Sequence, residues 1–301
     1  MKTIARKLGH TLHAAISSNR WAAELYLGWL GRVCRCAPDG HWKQFLSNSI
    51  HSVEWPEVRL KEAKTHFPCG DLEVVLTPHL DEYDFQAHLY HNLLYEAEVF
   101  RWLSTRTYRT VLDIGANIGL FSLYFAKRFP DARVYAFEPS REAFARLLAN
   151  VTANRPSNLF PFNCAVSLES GFLAFHEPAG HLSNGSLDAS FASLFSRDVT
   201  TTRVPALAAS AIESLPISAP ALIKIDVEGS EPKVLQSLEN LMRRYRPDLL
   251  IEVLPFTEPA LNRLPFVTNG SYRLFNIRPE GLVEQERLAA TEYRDYALLP
   301  V

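Results

Sequence analysis

The stretch 111–123, Val-Leu-Asp-Ile-Gly-Ala-Asn-Ile-Gly-Leu-Phe-Ser-Leu, constrains the fold more than any other part of the chain. It begins with a short apolar run that is typical of the end of a buried strand, and Gly115 breaks that run. From Ile118 onward the apolar residues recur at helical spacing. The segment 132–139 then reads as a second strand that ends in Glu138. We therefore predict a strand, a tight glycine turn, a helix and a second strand tipped by an acid.

The turn and the acid together predict a ligand site. Gly115 and Gly119 would let the backbone approach a ligand where a Cβ atom would clash. The helix that begins here points its free N–H groups and its positive dipole end at the same place. Glu138, followed by Pro139 at the strand tip, can accept hydrogen bonds from both hydroxyls of a ribose. The alternative is a plain βαβ unit whose glycines only make the turn.

The ligand that this turn predicts is not a dinucleotide. The pattern Gly-x-Asn-x-Gly around Asn117 lacks the third glycine that lets a helix sit close to a pyrophosphate. Asp113, just before the turn, is also a poor neighbour for a diphosphate. It suits a positively charged group, such as the amino acid end of S-adenosylmethionine.

Three motifs, in chain order, carry a family resemblance. They are Asp-Ile-Gly-Ala-Asn-Ile-Gly at 113–119, Ala-Phe-Glu-Pro at 136–139 and Lys-Ile-Asp-Val-Glu-Gly-Ser-Glu at 224–231. Together they resemble the FkbM family of S-adenosylmethionine-dependent methyltransferases, over roughly residues 96–254 and more loosely to the C-terminus. In one departure, the segment 208–215 has no aspartate where the family usually has one, so whatever that residue does in the family is not carried over.

The resemblance implies that S-adenosylmethionine is the cofactor. The third predicted strand, 158–166, ends in a segment that resembles the family's adenine-side segment, where backbone groups face the adenine. A lead-in helix at 88–102 would add Tyr95, Glu96 and Glu98 as second contacts to the methionine end. The expected cofactor-binding residues are Asp113, Gly115, Asn117, Gly119, Glu138, Pro139, Asn163 and Ala165.

Strands and helices alternate over residues 110–252, which predicts an α/β fold with a doubly wound, mostly parallel sheet. The resemblance makes this a Rossmann-like, class I methyltransferase fold, whose ligand lies beyond the C-terminal strand ends. Residues 1–92 are predicted to form an N-terminal helical and irregular extension, and residues 93–301 the S-adenosylmethionine-binding methyltransferase domain. Three further runs predict antiparallel edge strands: 274–277, 281–284 and 293–299.

The motif at 224–231 supplies the predicted catalytic residues. Along a strand, residues two apart face the same side, so Lys224, Asp226 and Glu228 would share one face near the strand tip. A lysine among apolar neighbours must find a partner or lose its charge, and Asp226 is the obvious partner. In the interpretation that we favour, Asp226, tuned by Lys224, accepts or orients the proton of the acceptor hydroxyl.

Two alternatives are open for the same residues. In the first, Asp226 and Glu252 hold a divalent cation that lowers the pKa of the hydroxyl, with Glu228 as a third oxygen ligand. Two or three carboxylates without a further ligand are weak support for such a metal site, so we prefer the metal-free role. In the second, Lys224 and Asp226 form a buried ion pair that only fixes the strand register.

The bulk composition narrows the class of protein. The formal net charge of -2 argues against a broad nucleic-acid-binding surface. The four cysteines include no Cys-x-x-Cys pair, which favours reduced thiols in a cytoplasmic protein. No run approaches the ~20 apolar residues that a transmembrane helix needs, and we do not read the N-terminus as a signal peptide.

Two segments each have two interpretations. Residues 1–36 predict one or two helices with a broad apolar band, which would pack on the rest of the protein or on a second subunit of a homo-oligomer. A membrane-surface helix is the alternative there. Residues 177–200 are rich in Ser, Asn, Asp and Gly and are predicted to form a substrate-facing lid, or else a disordered surface excursion.

The function implied by the resemblance is methyl transfer to a hydroxyl on a sugar, glycan, lipid or natural-product acceptor. An NAD-dependent oxidoreductase on a Rossmann-like fold is one alternative, which the missing third glycine and Asp113 disfavour. A non-catalytic interaction protein that keeps the methyltransferase fold is the other. The intact acids Asp113, Glu138 and Asp226 argue against that last interpretation.

Overall fold

A computed structural model describes residues 11–19, 21–23, 25, 26, 29, 65–77 and 96–301 of the protein. Within this part, residues 11–17 are helical, and the side chains of Trp21, Leu25 and Trp29 are exposed. The remainder of the predicted N-terminal extension lies outside the described residues, so a homo-oligomer formed through it stays a prediction. No helix in the described ranges is long and apolar enough to cross a membrane.

From Thr65 onward the described residues form thirteen strands and nine α-helices. The strands are β1 (Thr65–Cys69), β2 (Leu72–Leu76), β3 (Thr110–Ile114), β4 (Arg133–Phe137), β5 (Leu159–Phe162), β6 (Ala165–Ser167), β7 (Gly171–Pro178), β8 (Val199–Ala208), β9 (Ala221–Ile225), β10 (Asp248–Glu252), β11 (Tyr272–Arg278), β12 (Gly281–Gln285) and β13 (Asp295–Pro300). The helices are α1 (Ala97–Ser104), α2 (Leu120–Arg128), α3 (Arg141–Asn154), α4 (Ala189–Ala192), α5 (Ala209–Glu213), α6 (Glu231–Ser237), α7 (Glu239–Tyr245), α8 (Glu258–Leu261) and α9 (Pro265–Thr268).

Eight strands form the main sheet, in the order β12-β11-β13-β10-β9-β3-β4-β5. The five strands from β10 to β5 in this order are parallel, whereas β13 is antiparallel to both β10 and β11. The chain runs from β3 outward to β5 and then returns to add β9 and β10 on the other side of β3. This order confirms the doubly wound α/β fold, and the last three strands confirm the antiparallel edge. The ligand crevice of such a sheet lies where the order reverses, next to β3.

Apolar side chains alternate between the two faces of the central strands, and helices cover both faces. On β9, Leu222 belongs to the core under α1, α2 and α3, whereas Ile223 and Ile225 belong to the core under α5 to α9. Because strand side chains alternate, Lys224 falls on the same face as Leu222. Its ammonium group lies over the ring of Phe121 on α2, 4.9 Å from the ring centre. The alternation therefore places a cation on the α2 side, at the end of an otherwise apolar strand.

The hairpin β1–β2 packs on α2 and α3 and is tied to α3 by asparagine side chains. The backbone N–H of Val75 donates to Oδ1 of Asn154 at 2.9 Å, and Nδ2 of Asn154 donates to the Val75 carbonyl at 2.7 Å. The N–H of Thr77 donates to Oδ1 of Asn150 at 2.7 Å. Residues 65–77, which the sequence assigns to the extension, thus share a core with the α/β domain. The predicted domain boundary itself stays a prediction.

The predicted third strand, 158–166, is in fact two strands in two sheets. After β5 the side chain of Asn163 donates to the backbone carbonyls of Glu138 and Pro139, and the chain turns there. β6 then pairs with β8, and β7 pairs antiparallel with β8, so a separate sheet forms with the order β6-β8-β7. Strand periodicity alone does not reveal this break, because the residues on both sides of it are mainly apolar.

Candidate active site

A cavity of about 390 Å³ lies at the C-terminal ends of the central strands. Gly115 follows β3 in its wall, Glu138 follows β4, Asp226 follows β9 and Glu252 ends β10. Because these strands are parallel, their C-terminal ends meet at one edge of the sheet. The structure therefore brings together the acids that the sequence places at separate strand ends.

Glu138 is buried at the tip of β4, yet both of its oxygens have backbone donors. The N–H of Asn117 donates to Oε2 at 2.7 Å, and the N–H of Ser140 donates to Oε1 at 2.8 Å. Burial raises the pKa of Glu138 to about 7, although these two N–H groups act in the opposite direction. Each carboxylate oxygen has a further lone pair. The fixed carboxylate can therefore still accept hydrogen bonds from a ligand in the cavity.

Position 115 needs a glycine because the ends of β3, β4 and β9 come close together there. Its φ is +83°, a conformation that L side chains rarely adopt, and a Cβ atom would lie 1.8 Å from the carbonyl oxygen of Asp226. The N–H groups of Gly115 and Ala116 both donate to the carbonyl of Phe137 at 3.0 Å. The space of the missing side chain is thus taken by protein backbone, whereas cofactor binding by Gly115, which lines the cavity, stays a prediction.

Gly119 and Asn117 differ from each other in what they contact. Gly119 is the N-cap of α2, with φ of 88°, and a Cβ atom there would lie 3.1 Å from the side chain of Leu147 on α3. Gly119 is not among the described residues that line the cavity, and its role in cofactor binding stays a prediction. Asn117, with φ of 49°, does line the cavity, and its N–H fixes Glu138.

Two residues near the end of β5 line the cavity, and a third supports its wall. Pro139 and Ala165 line the cavity, so the adenine-side contact predicted for Ala165 agrees with its position. Asn163 is not part of the described lining. Its Nδ2 donates to the carbonyls of Glu138 at 2.8 Å and Pro139 at 3.2 Å. Asn163 therefore positions the loop that carries Glu138, from behind the wall.

Lys224 is a buried cation between two carboxylates. Its Nζ lies 3.1 Å from Oδ2 of Asp226 and 3.9 Å from Oδ1 of Asp113. Burial alone would lower the pKa of Lys224, but Asp226 and Asp113 raise it above its ordinary value, so the lysine keeps its charge. The side chain of Asp226 is 34% exposed and lines the cavity. One partner of the pair is thus sealed in the fold while the other is open to a ligand.

Asp113 lies below the cavity and not in its described wall. It is fully buried and accepts a hydrogen bond of 2.5 Å from Oγ of Ser122 on α2. Its other oxygen, Oδ1, has no hydrogen-bond partner among the described residues. Burial raises the pKa of Asp113, although Lys224 and Ser122 lower it. The direct cofactor contact predicted for Asp113 has no support in the lining, and its charge acts on the site through Lys224.

Glu228 lines the cavity, but it lies beyond the end of β9, where strand alternation no longer applies. β9 ends at Ile225, and Glu228 adopts a left-handed conformation with φ of 52°. Its Oε1 lies 3.5 Å from Nδ2 of Asn184. Burial and the nearby charges of Asp226 and Glu252 raise its pKa well above the ordinary value. The shared strand face was therefore the wrong reason for Glu228, although the residue does line the cavity beside Asp226.

Further acids meet at the same end of the cavity. Glu96 lines it and has a pKa raised by burial and by Asp295, whereas Glu98 is not in the described lining and Tyr95 lies outside the described residues. Burial also raises the pKa of Asp295 to about 6. Asp295 pairs with Glu252 in the antiparallel register of β10 and β13, and Nη1 of Arg294 lies 3.6 Å from Glu252. The sequence pattern did not predict that Asp295 and Arg294 lie near the cavity, because their position depends on the register between β10 and β13.

The acids described around the cavity are not grouped as the ligands of a metal ion would be. In the part of the chain that the structure describes, no group of three or more His, Cys, Asp or Glu side chains is arranged to hold a metal ion. Asp226 and Glu252 both line the cavity, but their neighbours are the cations Lys224 and Arg294. These cations disfavour a divalent ion between the two carboxylates, and the choice between the metal-free role and the metal alternative stays a prediction.

The segment 177–200 covers one side of the cavity. Ser186 within it donates a hydrogen bond of 2.6 Å to the carbonyl of Glu228, and Phe191 on α4 packs on Phe256, with ring centroids 5.3 Å apart. The segment is thus an ordered cover, as the lid interpretation expects. Five of its residues line the cavity: Leu182, Ser183, Asn184, Gly185 and Leu187.

Comparison with known proteins identifies the family to which this site belongs. The Methyltransferase FkbM domain matches residues 113–274. Hexuronic acid methyltransferase AglP from Haloferax volcanii is 31% identical over 131 residues, which cover 44% of this chain and 50% of that protein. The 31-O-demethyl-FK506 methyltransferase FkbM from Streptomyces tacrolimicus is 32% identical over 155 residues, which cover 43% of this chain and 59% of that protein. The chain thus spans only about half the length of the curated relatives that it matches.

One solved structure with similarity to this chain is Methyltransferase FkbM from Methylobacillus flagellatus KT. It is 17% identical, the alignment covers 71% of this chain and 54% of that chain, and the TM-score is 0.43. The family match shows the family, and its range contains the turn at Gly115, the acid Glu138 and the motif at 224–231.

Proposed function

The chain belongs to the FkbM methyltransferase family, and from this premise we propose that it transfers the methyl group of S-adenosylmethionine to a hydroxyl of a small-molecule acceptor. The observation that carries the proposal is a cavity that both Glu138 and Asp226 line, after the ends of β4 and β9 on either side of β3, with Lys224 3.1 Å from Asp226. The two curated relatives are named for a hexuronic acid and for 31-O-demethyl-FK506, which supports an oxygen acceptor.

The residues of the cavity fit S-adenosylmethionine. This cofactor carries a ribose, a positively charged sulfonium and an amino acid end. Glu138, fixed by two backbone N–H groups, suits the ribose hydroxyls. Glu96, Asp226 and Glu252 also line the cavity, while Arg294 is the one cation in the described lining. An excess of carboxylates favours a ligand with positive charge.

When bound, the cofactor supplies a methyl carbon to which the acceptor oxygen bonds while the carbon–sulfur bond breaks and leaves its electrons on sulfur. The chain has to hold the acceptor in line and remove its proton. Lys224 cannot be the base, because its raised pKa keeps it protonated at neutral pH. Asp226, held by Lys224 and open to the cavity, therefore accepts or orients the hydroxyl proton.

Calorimetry of the full chain with S-adenosylhomocysteine and with NAD, side by side, tests the proposal. Tight binding of S-adenosylhomocysteine, followed by labelled methyl transfer to a hydroxyl acceptor, supports it. Binding of NAD alone would support an oxidoreductase instead, and binding of neither ligand would support a non-catalytic interaction protein. Tight S-adenosylhomocysteine binding without label in any hydroxyl acceptor would count against O-methylation.

Glu138→Ala should weaken cofactor binding by roughly ten- to a hundredfold, because a hydrogen bond to a charged group contributes about 1.5–3 kcal/mol. The same change at Glu142, an exposed acid in the first turn of α3, is the matched control and should leave the affinity unchanged. The measurement is the dissociation constant of S-adenosylhomocysteine by calorimetry. A folded Glu138→Ala variant with wild-type affinity would remove the ribose assignment.

Cofactor binding should strengthen as the pH rises through about 7. Burial raises the pKa of Glu138 to about 7, so the ligand-free fold binds this proton more tightly than the unfolded chain does. The stability that Glu138 contributes is therefore present below its ordinary pKa and is lost as the pH rises through about 7. Two ribose hydroxyls donate best to the ionised carboxylate. The ligand therefore binds more tightly at a pH at which Glu138 has lost its proton.

The measurement is the increase in the unfolding temperature caused by S-adenosylhomocysteine, compared at acidic, neutral and basic pH. We expect that increase to grow across the range in the wild type. It should grow less in Glu138→Gln, which has no such proton to release. An increase that is independent of pH in both proteins would contradict this role for Glu138.

A further inference from the structure

An exposed apolar face lies on a helix near the N-terminus. The described residues from Trp21 to Trp29 are helical, and Trp21, Leu25 and Trp29 follow one another at intervals of four, so they lie on one side of this helix. Their side chains are 76%, 68% and 60% exposed. We call these three residues the tryptophan face. Exposed hydrophobic side chains are ordinary when they are scattered singly, whereas a group of large ones on one face marks an interaction surface.

Contacts on another side of the same helix leave this face open. Ala23 is fully buried and His13 almost fully, and Nε2 of His13 lies 2.8 Å from the hydroxyl of Tyr26. The side chain of Asn19 accepts a hydrogen bond of 3.1 Å from the N–H of Ala22, at the start of the helix. The helix is therefore held to the preceding helical turns through Tyr26, while the tryptophan face stays in solvent.

The same end of the chain carries a concentrated positive charge. Residues 1–36 contain six Lys or Arg and one Glu, which is a net charge of +5. Residues 37–301 contain 25 Lys or Arg and 32 Asp or Glu, which is a net charge of -7. The small net charge of the whole chain thus combines a basic segment with an acidic remainder. Basic residues beside an exposed apolar helix face are complementary to a surface that is both anionic and apolar.

Two occupants of the tryptophan face can be compared on these grounds. In a two-fold symmetric dimer, the same patch of both subunits meets, so two segments of net charge +5 would be brought together. A membrane with anionic headgroups meets this charge with the opposite sign and attracts basic segments. Tryptophan is also enriched at the interface between membrane and water. The charge and the residue type therefore favour a membrane surface over a second subunit.

We propose that the protein binds peripherally to an anionic lipid surface through Trp21, Leu25 and Trp29, with the basic charge of residues 1–36 adding electrostatic attraction. The three apolar side chains leave water by entering the boundary between headgroups and acyl chains, as those of amphipathic surface helices do. The proposal goes beyond methyl transfer and does not depend on it, because neither the cavity nor the cofactor takes part.

The test is sedimentation of the full chain with lipid vesicles. One set of vesicles is phosphatidylcholine alone, and the other is equal parts of phosphatidylcholine and phosphatidylglycerol. We expect binding to the anionic vesicles to be at least about tenfold tighter than to the neutral ones, and this gap should shrink with added salt, which screens exposed charges. Absence of binding to the anionic vesicles, or equal binding to both sets, overturns the proposal.

Variants of the tryptophan face test the apolar contact. Trp21→Ser combined with Trp29→Ser should weaken binding to the anionic vesicles by at least about tenfold, since two large apolar side chains no longer leave water. The matched control is Leu168→Ser combined with Phe172→Ser, because these side chains are 52% and 62% exposed at the start of β7. That control should bind as the wild type does. Wild-type binding by the tryptophan variant, or an equal loss in both double variants, would overturn the assignment.

Charge variants test the electrostatic contribution. Arg6→Gln combined with Lys7→Gln should weaken binding to the anionic vesicles, by about fivefold for each basic residue near such a surface. Arg243→Gln combined with Arg244→Gln makes the same change in net charge at two exposed residues of α7 and should have no effect. Equal losses in the two pairs would mean that the net charge, and not the basic segment, attracts the protein to lipid, and would overturn the assignment.

Two further measurements separate this proposal from the other roles of the protein. The affinity for S-adenosylhomocysteine should be unchanged in the tryptophan variant, so the vesicle result and the cofactor result can fail independently. Analytical ultracentrifugation without lipid tests the second subunit. A wild-type dimer that dissociates in the tryptophan variant, together with no binding to vesicles, would overturn the proposal and assign the tryptophan face to a second copy of the chain.

Discussion

Gly115→Ala is expected to destabilise the folded protein by at least about 4 kcal/mol, a loss that few single substitutions reach. The new Cβ atom would lie 1.8 Å from the carbonyl oxygen of Asp226 and 2.8 Å from its carbonyl carbon. Neither atom can move alone, because the N–H of Asp226 donates to the carbonyl of Ile114 at 3.1 Å. The ends of β3 and β9 would have to separate, and the cavity between them would lose its wall.

The measurement for Gly115→Ala is the free energy of unfolding from urea titration, together with the affinity for S-adenosylhomocysteine. Gly270→Ala is the matched control, because Gly270 has φ of +73° but nothing lies within 4 Å of its added Cβ atom. That control should cost only the backbone strain, about 1–2 kcal/mol. If the two variants unfold at the same urea concentration, the close approach at Asp226 does not limit the fold.

Asp226→Asn should lower turnover by at least ~10²-fold, the usual scale for loss of a general base. The amide keeps the shape of the side chain but removes the charge that takes the proton. Because the proposal assigns the cofactor ribose to Glu138 and the acceptor proton to Asp226, cofactor affinity should stay within a few-fold of the wild type. Turnover is measured with labelled S-adenosylmethionine and a hydroxyl acceptor found in the labelled-transfer test, and affinity by calorimetry.

Two controls separate the possible meanings of the Asp226 result. Asp198→Asn changes an exposed acid on the lid and should leave turnover unchanged. Lost stability with wild-type turnover in Asp226→Asn would mean that the pair Lys224–Asp226 only fixes the strand register. If a chelator abolishes wild-type activity and added magnesium or manganese restores it, a metal role replaces the metal-free role.

Pattern reasoning located the parts of the site that depend on local sequence. Strand tips are recognisable as apolar runs that end in a glycine or an acid, so Gly115, Glu138 and Asp226 could be placed at one sheet edge before any coordinates. The acid Glu138 needed no further information, because its strand and its neighbours in the sheet follow from the alternation of strands and helices. The fold class was predictable for the same reason.

Other parts of the site depend on contacts between distant segments. Nothing in the strand pattern pairs Asp295 with Glu252, since antiparallel register is set by packing across the edge. The glycine at 119 reads as a ligand turn, although its neighbour is a leucine on the next helix. Likewise, Phe191 and Phe256 meet only because the lid folds back over the end of β10. Their aromatic character alone is equally typical of an ordinary core.

The small sheet formed by β6, β8 and β7 has a consequence for how this protein can evolve. Its strands hydrogen-bond to one another and not to the eight-stranded sheet. An insertion or deletion in residues 179–198, between β7 and β8, would therefore leave the register of the main strands intact. Mutations can therefore change this cover of the cavity while the turn at Gly115 and the acid Glu138 are kept. If the proposed function holds, a lineage with this architecture can change its acceptor without rebuilding the turn and the acid that are assigned to the methyl donor.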